Sequence, residues 1–263
     1  MPKVTSGNPP ARLKELIFDD QFDADQLDET RWVPHYLPHW TTPDRSAPRY
    51  DVTGDGILLK IEADQDEWLH EEGALRAAGF QSGAWSESYG SPRGQHRYRP
   101  GLTVRSPHPV QRLFTTSDGR VEATLRASID PTTMLAFWLV GFEEADDEQS
   151  GEICVIELFG DAIGTESSIL SVGVKAHHDP ALHDDMVRVP VPIDATDWHT
   201  YAAEWLPSEI VFFVDDIEIH RVPQSIDYPM QLMVGLAEFP TDADRDPARY
   251  PKVGGARSVR AFA

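Results

Sequence analysis

Short apolar runs separated by turn-forming residues repeat along the whole chain. The 21 prolines and 18 glycines interrupt the sequence so often that long amphipathic helices have little room to form. Residues 119–127 show the pattern most clearly, because Val121, Ala123 and Leu125 alternate with polar residues, as in a strand with one buried face. The chain is therefore predicted to consist mainly of short β-strands. The predicted strand runs are residues 56–61, 119–127, 134–140, 153–159, 169–175, 201–205, 209–214, 218–221 and 230–236.

Many antiparallel strands in a chain of 263 residues predict a two-sheet β-sandwich or jelly roll. No linker divides the sequence, so residues 1–263 are predicted to form a single all-β domain. The one helix that the pattern favours covers residues 64–78, although Gly73 weakens it. Residues 79–109 are rich in Gly, Pro, Ser, Arg and aromatic residues and are too long for an ordinary turn. We interpret them as a functional loop over one sheet face, with a flexible surface insertion as the alternative.

The charge of the chain excludes several classes of partner. It has 23 Lys and Arg residues against 44 Asp and Glu residues, which gives a formal net charge of −21. Such a chain cannot neutralise a row of phosphates, so nucleic acid is not expected as a partner. The same negative charge disfavours anionic membranes and heavily sulfated polymers. A neutral partner is expected instead.

Cys154 is the only cysteine, which excludes an internal disulfide and a zinc site with several cysteines. Residues 1–16 contain no apolar stretch typical of a signal peptide. No run approaches the ~18 apolar residues that a membrane span requires. As written, the sequence suits a reducing compartment, whereas a form whose leader has been removed would be secreted.

Two glutamates five positions apart are the main candidates for chemistry. In the segment EICVIE, Glu152 and Cys154 share one face of a regular strand, and Glu157 points to the other face. One bulged residue between them would return Glu157 to the face of Glu152. The two backbones would then lie roughly 13 Å apart, and on a concave sheet the side chains could lean towards the ~5–5.5 Å carboxyl separation of a retaining glycosidase. Two exposed carboxylates on an edge strand are the alternative.

The segment GEICVIELFG is similar to the catalytic signature of glycoside hydrolase family 16, which reads Glu, aliphatic, Asp, two aliphatics, Glu. The resemblance extends over nearly the whole chain in the family's order. It implies a concanavalin A-like β-jelly roll with a concave substrate cleft, as in laminarinases and lichenases, and action on β-linked glucans or galactans. The other matching segments are LIFDDQFD, LDETRW, SDGRVEATLRA, MLAFWLVG, WHTYAAEWLPSEIVFFVDD, MQLMVGLAE and SVRAFA.

The resemblance implies that Glu152 is the nucleophile and Glu157 the acid/base of a retaining double displacement. Cys154 stands where the family has an Asp that can hydrogen-bond to the nucleophile. A thiol is a weak donor, so the exchange removes a strong contact from Glu152. The departure predicts slower hydrolysis with a shifted pH optimum, a retuned site, or an inactive protein.

Three tryptophans are candidates for binding the apolar face of a sugar. Trp138 matches a cleft Trp of the family, with a core residue as the alternative. Trp40 and Trp85 lie in predicted loops, where each would either form a sugar platform or pack beneath its loop.

Histidines after the signature are further candidates. His177 occupies a position where related enzymes carry a cleft His, and it is predicted to contact the substrate. Together with His178 and Asp179 it also admits a metal site, but no further spaced ligands support that interpretation. His199 matches a family His, for which a structural hydrogen-bonding role is expected.

No metal and no cofactor are predicted. Many family members hold a structural Ca²⁺ through acidic residues of the first and last strands, but the corresponding positions here are Gln21 and Arg257. An Arg would repel the cation.

The sequence therefore predicts an endo-acting, retaining β-glycosidase that acts as a monomer on a neutral polysaccharide or oligosaccharide. A β-1,3- or mixed-linked β-glucan is the expected substrate. A catalytically impaired glycan-binding module of the same fold and a transglycosylase are the alternatives.

Overall fold

Two antiparallel β-sheets pack face to face in this computed structural model, which describes residues 15–73, 75–240 and 246–263. The predicted β-jelly-roll sandwich is confirmed, and each of the nine predicted runs coincides with a strand. The first strands are β1 (Leu16–Asp20), β2 (Arg49–Thr53), β3 (Gly56–Ile61), β4 (Arg76–Gln81), β5 (Gly83–Ala84), β6 (Gln111–Arg112), β7 (Gly119–Arg126) and β8 (Thr133–Gly141). The remaining strands are β9 (Glu152–Phe159), β10 (Ser168–Lys175), β11 (Asp185–Val191), β12 (His199–Leu206), β13 (Glu209–Val214), β14 (Ile217–Val222), β15 (Met230–Glu238) and β16 (Lys252–Phe262).

The sheet that we call the front sheet has the strand order β11-β10-β9-β8-β15-β4. The back sheet has the order β14-β13-β12-β7-β16-β3-β2, and β1 also pairs with β16. Strands β8 to β11 follow one another in both sequence and space. Side chains from this continuous meander therefore meet on one face of the front sheet.

The main hydrophobic core fills the space between the sheets. On β7 the alternation seen in the sequence holds, since Val121, Ala123 and Leu125 are buried in this core. Strand β9 contributes Ile153 and Ile156 from the facing sheet. The alternation places apolar side chains inside, so the opposite face of the front sheet remains available for polar groups.

The helix predicted over residues 64–78 is not formed. A short 3₁₀ helix covers His70–Glu72, Gly73 adopts a positive φ of 63°, and β4 begins at Arg76. Pairing of β4 with β15 decides the conformation, because Ala77 and its neighbours join the edge of the front sheet. Helices in the described residues are short, and none is long and apolar enough to cross a membrane. They are α1 (Pro43–Ser46) and the 3₁₀ helices Pro38–Trp40, His70–Glu72, Gly160–Ala162 and Pro247–Arg249.

The predicted long loop begins later than expected, since residues 79–84 belong largely to β4 and β5. Residues 85–110 then cross the outer face of the front sheet. Leu102 and Val104 of this loop are buried in a second hydrophobic cluster, together with Trp40, Trp68 and Met233. The loop is therefore packed onto the sheet and does not behave as a loose surface insertion.

Candidate active site

A bulge in β9 brings the two candidate glutamates to the same face. Phe137 and Trp138 are adjacent on β8, but their partners on β9 are Ile156 and Cys154. Val155 is therefore an extra residue on β9. The pairing of β9 with β10 shifts at the same place. Val155 and Ile156 both enter the main core, and Glu157 returns to the face of Glu152. The predicted bulge is confirmed.

The side chains of Glu152, Cys154 and Glu157 form a compact group. One polar atom from each lies within 4.8 Å of the other two. The thiol of Cys154 donates a hydrogen bond to Oε1 of Glu152 over 2.9 Å and lies 3.8 Å from Oε1 of Glu157. Glu152 and Cys154 are buried, and Glu157 is more exposed. Two carboxyl groups thus face each other across a buried thiol.

Lys175, which the sequence analysis missed, lies between the two carboxyl groups. It is opposite Glu152 in the pairing of β9 with β10. Its Nζ donates to Oε1 of Glu152 over 3.0 Å and to Oε1 of Glu157 over 2.9 Å. The ammonium group offsets the repulsion between the carboxylates. A signal was available in the sequence, because Lys175 is the only charged residue of β10.

Two histidines approach the other oxygen of Glu152. Nε2 of His177, just after β10, lies 2.7 Å from Oε2 of Glu152, and the side chain lines the same cavity as the carboxyl pair. Nε2 of His96, from the loop over residues 85–110, lies 3.9 Å from the same oxygen. His96 is not predictable from the sequence, because no spacing rule connects it to Glu152 and its approach depends on how a long loop folds.

The electrostatics of the site favour an ionised Glu152. Burial alone would raise the pKa of Glu152, but the hydrogen bond with His177 and the charge of Lys175 outweigh burial and hold this pKa well below its usual range. Burial likewise opposes the charge of Lys175, yet the neighbouring carboxylates raise its pKa. Burial and the charge of Glu152 raise the pKa of the Cys154 thiol, so the thiol is neutral. Burial lowers the pKa of His96 to about 4.

A cavity of about 210 Å³ opens beside this group on the outer face of the front sheet. Trp138 lines its wall from β8, next to β9, and is also buried in the second hydrophobic cluster. Gly235 on β15 leaves room for this indole, since a Cβ there would lie 3.1 Å from the Trp138 ring. Tyr36 and Tyr98 add two aromatic side chains that the sequence analysis did not single out. The remaining lining residues are Ala77, His96, Met134, Ala136, Glu152, Glu157, Lys175, His177, Leu236 and Ala237.

The prediction that Trp40 and Trp85 form sugar platforms is corrected by the structure. Trp40 is fully buried, and its indole N–H donates to the backbone carbonyls of Gln95 and His96 over 3.1 and 3.3 Å. Trp85 is also buried, with its N–H donating to the carbonyl of Phe142 over 2.5 Å. Both indoles lie outside the cavity lining and support loops, because buried Trp N–H groups find backbone acceptors there.

The other candidate histidines lie apart from the carboxyl pair. His178 Nε2 contacts the carbonyl of Arg97 over 2.8 Å, and Asp179 accepts a hydrogen bond from the Tyr228 hydroxyl over 2.7 Å. They therefore do not join His177 in a common ligand set. His199 is on β12 of the back sheet, where its Nδ1 lies 2.7 Å from Oδ2 of Asp215. Its contacts agree with a structural role.

Gln21 and Arg257 stand where many family members bind calcium, and here both contact acidic side chains. Gln21 donates to Oδ1 of Asp19, and Nη2 of Arg257 lies 3.1 Å from Oδ1 of Asp55. A guanidinium group is not a calcium ligand, so these residues do not fit that ion.

Comparison with known proteins connects this geometry with one family. Residues 106–247, which are 142 of the 263 residues, match the model of glycosyl hydrolases family 16. A beta-glucanase from Rhodothermus marinus is 26% identical over 216 residues. The match covers 80% of this chain and 65% of that protein, so the chain spans slightly less than two thirds of the length of this relative.

Solved structures show the same fold at low sequence identity. A GlcNAcα1-4Gal-releasing endo-β-galactosidase from Clostridium perfringens superposes with a TM-score of 0.79 at 22% identity, covering 99% of this chain and 65% of that one. A laminarinase from a Flavobacterium species superposes with a TM-score of 0.63 at 16% identity, covering 95% of this chain and 100% of that one.

Proposed function

The chain belongs to glycosyl hydrolases family 16, and we propose that it is an endo-acting, retaining β-glycosidase. The proposed substrate is a neutral polysaccharide, with a β-1,3- or mixed-linked β-glucan first among the candidates. Residues 1–263 are proposed to act as one catalytic domain.

The main support for the proposal is the short distance between the carboxyl groups of Glu152 and Glu157. A carboxylate oxygen of each lies within 4.8 Å of the other, on one face of β9. Retaining glycosidases hold their two carboxyl groups ~5–5.5 Å apart, whereas inverting enzymes need ~6.5–9.5 Å to admit a water molecule. The short separation supports a covalent, retaining mechanism.

In the first step, the ionised carboxylate of Glu152 attacks the anomeric carbon. The bond between this carbon and the leaving oxygen breaks, and Glu157 transfers its proton to that oxygen. The result is a glycosyl ester on Glu152 and an ionised Glu157. The lowered pKa of Glu152 supports the role of nucleophile, because the group is ionised at neutral pH.

In the second step, Glu157 removes a proton from water, and the water oxygen attacks the anomeric carbon. The ester bond breaks, Glu152 is released as a carboxylate, and Glu157 is protonated again. Lys175 holds Oε1 of both glutamates. Glu157 therefore carries its proton on the other oxygen, Oε2, while Oε1 continues to accept from Lys175.

Aromatic side chains around the cavity support a sugar as substrate. Trp138 approaches from the sheet, and Tyr36 and Tyr98 approach from the loops. Aromatic rings present flat apolar surfaces to the C–H faces of sugars.

The proposed β-glucan follows the R. marinus beta-glucanase and the Flavobacterium laminarinase. A β-galactan is the second candidate, because the endo-β-galactosidase superposes with the higher TM-score of 0.79.

The decisive experiment measures release of reducing ends from laminarin, a mixed-linked β-glucan and a β-galactan. We compare the wild type with Glu152→Gln and Glu157→Gln, and Glu204→Gln on β12 of the back sheet is the matched control. Glu157→Gln should lower kcat by about 10²–10⁴-fold, Glu152→Gln should remove turnover, and the control should retain it. Proton NMR should detect the β-anomer as the first product, and viscosity should fall early if cleavage is internal.

Other outcomes identify the alternatives. Saturable glycan binding without turnover on any substrate would indicate the binding module. Longer products in the presence of an acceptor sugar would indicate a transglycosylase. An α-anomer as first product would contradict the retaining mechanism.

A further inference from the structure

The imidazole of His96 is buried in the site wall without a hydrogen bond. Only 7% of the residue is exposed. Within the described part of the chain, Nδ1 has no hydrogen-bond partner. Nε2 points towards Oε2 of Glu152 but remains 3.9 Å away, too far for a hydrogen bond. Nε2 is therefore without a protein partner at hydrogen-bond distance and lies at the cavity wall, where it can take a ligand from the cavity.

Three ligand atoms converge at this place. One atom each of His96, Glu152 and His177 lies within 4.8 Å of the other two, and His177 Nε2 is already 2.7 Å from Oε2 of Glu152. The two imidazole rings meet edge to face, with centroids 4.9 Å apart and planes at 84°. Two imidazole nitrogens and one carboxylate oxygen form a ligand set that suits Zn²⁺ and related ions, which accept borderline nitrogen and oxygen donors.

We propose that His96, His177 and Glu152 bind one divalent transition-metal ion, and that this ion inhibits the enzyme by occupying its nucleophile. The ion would contact Nε2 of each histidine and Oε2 of Glu152. On binding, Nε2 of His177 would exchange its contact with Glu152 for the ion, and the proton of the neutral ring would lie on Nδ1. Metal binding is independent of the proposed function, whereas the inhibition rests on it.

A second group of candidate metal ligands lies nearby, but Lys175 already contacts it. Glu152, Cys154 and Glu157 also place one ligand atom each within 4.8 Å. However, the Lys175 ammonium lies 3.0 Å from Glu152 and 2.9 Å from Glu157, so its positive charge already occupies the place that a metal ion would take in that group. Lys175 contacts Oε1 of Glu152 and leaves Oε2 to the histidines. Its charge opposes a metal ion nearby, which predicts moderate affinity.

The test is calorimetric titration of the chelator-treated protein with ZnCl₂. We expect saturable binding of one ion per chain. His96→Gln should weaken binding at least tenfold, and the matched variant Cys154→Ala should bind as the wild type does. Thermal unfolding of both variants verifies that they fold.

Co²⁺ provides a second readout that does not depend on activity. Binding should give visible absorption without the intense near-ultraviolet charge-transfer band of a thiolate ligand. A thiolate band, loss of binding in Cys154→Ala, or unchanged binding in His96→Gln would overturn the proposed ligand set. Absence of saturable binding to the wild type would overturn the site itself.

The inhibition is tested on a substrate that the wild type hydrolyses. Zn²⁺ should compete with substrate, and a chelator should restore the rate. Binding without inhibition would overturn the inhibitory role. If no substrate is hydrolysed, the proposed function and the inhibition fail together, while calorimetry still decides whether the metal site exists.

Discussion

Nζ of Lys175 lies 2.9 Å from Oε1 of Glu157, the carboxyl group that the proposed mechanism uses as its acid. Lys175 is equally close to Glu152, with 3.0 Å between Nζ and Oε1. The same ammonium therefore contacts both carboxyl groups, and its charge helps to hold the pKa of Glu152 well below the usual range.

Lys175→Met should move the acidic limb of the kcat/KM pH profile to higher pH. The charge of Lys175 is one of the causes that lower the pKa of Glu152, so without the ammonium the nucleophile holds its proton more strongly. Lys60→Met is the control, since Lys60 forms its ion pair with Asp51 on β2 of the back sheet. A profile that stays in place in folded Lys175→Met would contradict this role.

Cys154→Asp should raise kcat/KM at pH 7 by about tenfold, or about 1.4 kcal/mol in the barrier. The added carboxyl group would stand between Glu152 and Glu157, as the Asp of the family signature does, and would restore the charged side chain that orients the nucleophile. Cys154→Ser keeps a hydroxyl donor without the charge and should remain close to the wild type. A folded Cys154→Asp protein with lower activity than the wild type would show that this site is tuned around the thiol.

The strands and the carboxyl pair were predictable from sequence because they depend on local patterns. Alternation identified β7, and the spacing of Glu152 and Glu157 required one bulged residue between them if both were to share a face, which the structure places at Val155. Local pattern failed at residues 64–78, where pairing of β4 with β15 overrides the tendency to form a helix.

Contacts that depend on the loops were not predictable. His96 reaches Glu152 only because residues 85–110 fold back over the sheet. Trp40 lies in a loop by sequence, yet its indole is buried under the chain that carries His96. Burial of a loop side chain depends on what crosses above it, and neither composition nor periodicity contains that information.

Trp138→Leu should raise KM for oligosaccharides about tenfold with a smaller change in kcat. The indole lines the cavity next to the carboxyl pair, and its loss removes a flat surface for the sugar in both the ground state and the transition state. Trp198→Leu is the matched control, because that indole packs between Arg126 and Arg257 away from the cavity. An unchanged KM would make Trp138 a packing residue.

Gly173→Ala should destabilise the chain by at least about 1 kcal/mol and lower activity. Gly173 is opposite Cys154 where the register shifts, and its φ of 145° is unfavourable for other residues. A Cβ there would also lie 2.1 Å from the carbonyl oxygen of Asp185. Gly54→Ala, at a position with open space around the added Cβ, is the control for thermal and urea unfolding. Equal stability of the two variants would contradict the strain argument.

Glu143→Gln should remove a pH-dependent loss of stability. Glu143 is buried behind the site, and its Oε2 accepts the backbone N–H of His96 over 2.6 Å. Burial raises its pKa from 4.5 to about 8, so the folded chain holds this proton more tightly than the unfolded chain does. The stabilisation is complete below about pH 4.5 and is lost as the pH rises to about 8, with a slope of up to about 1.4 kcal/mol per pH unit.

Gln keeps an oxygen that accepts from His96 but has no proton to lose. The difference in free energy of unfolding between Glu143→Gln and the wild type should therefore rise in favour of the variant by a few kcal/mol from pH 5 to pH 8. Urea unfolding at each pH measures this difference. Glu152, whose lowered pKa acts in the opposite direction, titrates in both proteins, so the difference between them isolates Glu143. The exposed neighbour Glu148, changed to Gln, should show no such difference. If Glu143→Gln and the wild type keep a constant difference across this range, the buried carboxyl group is not protonated in the folded chain.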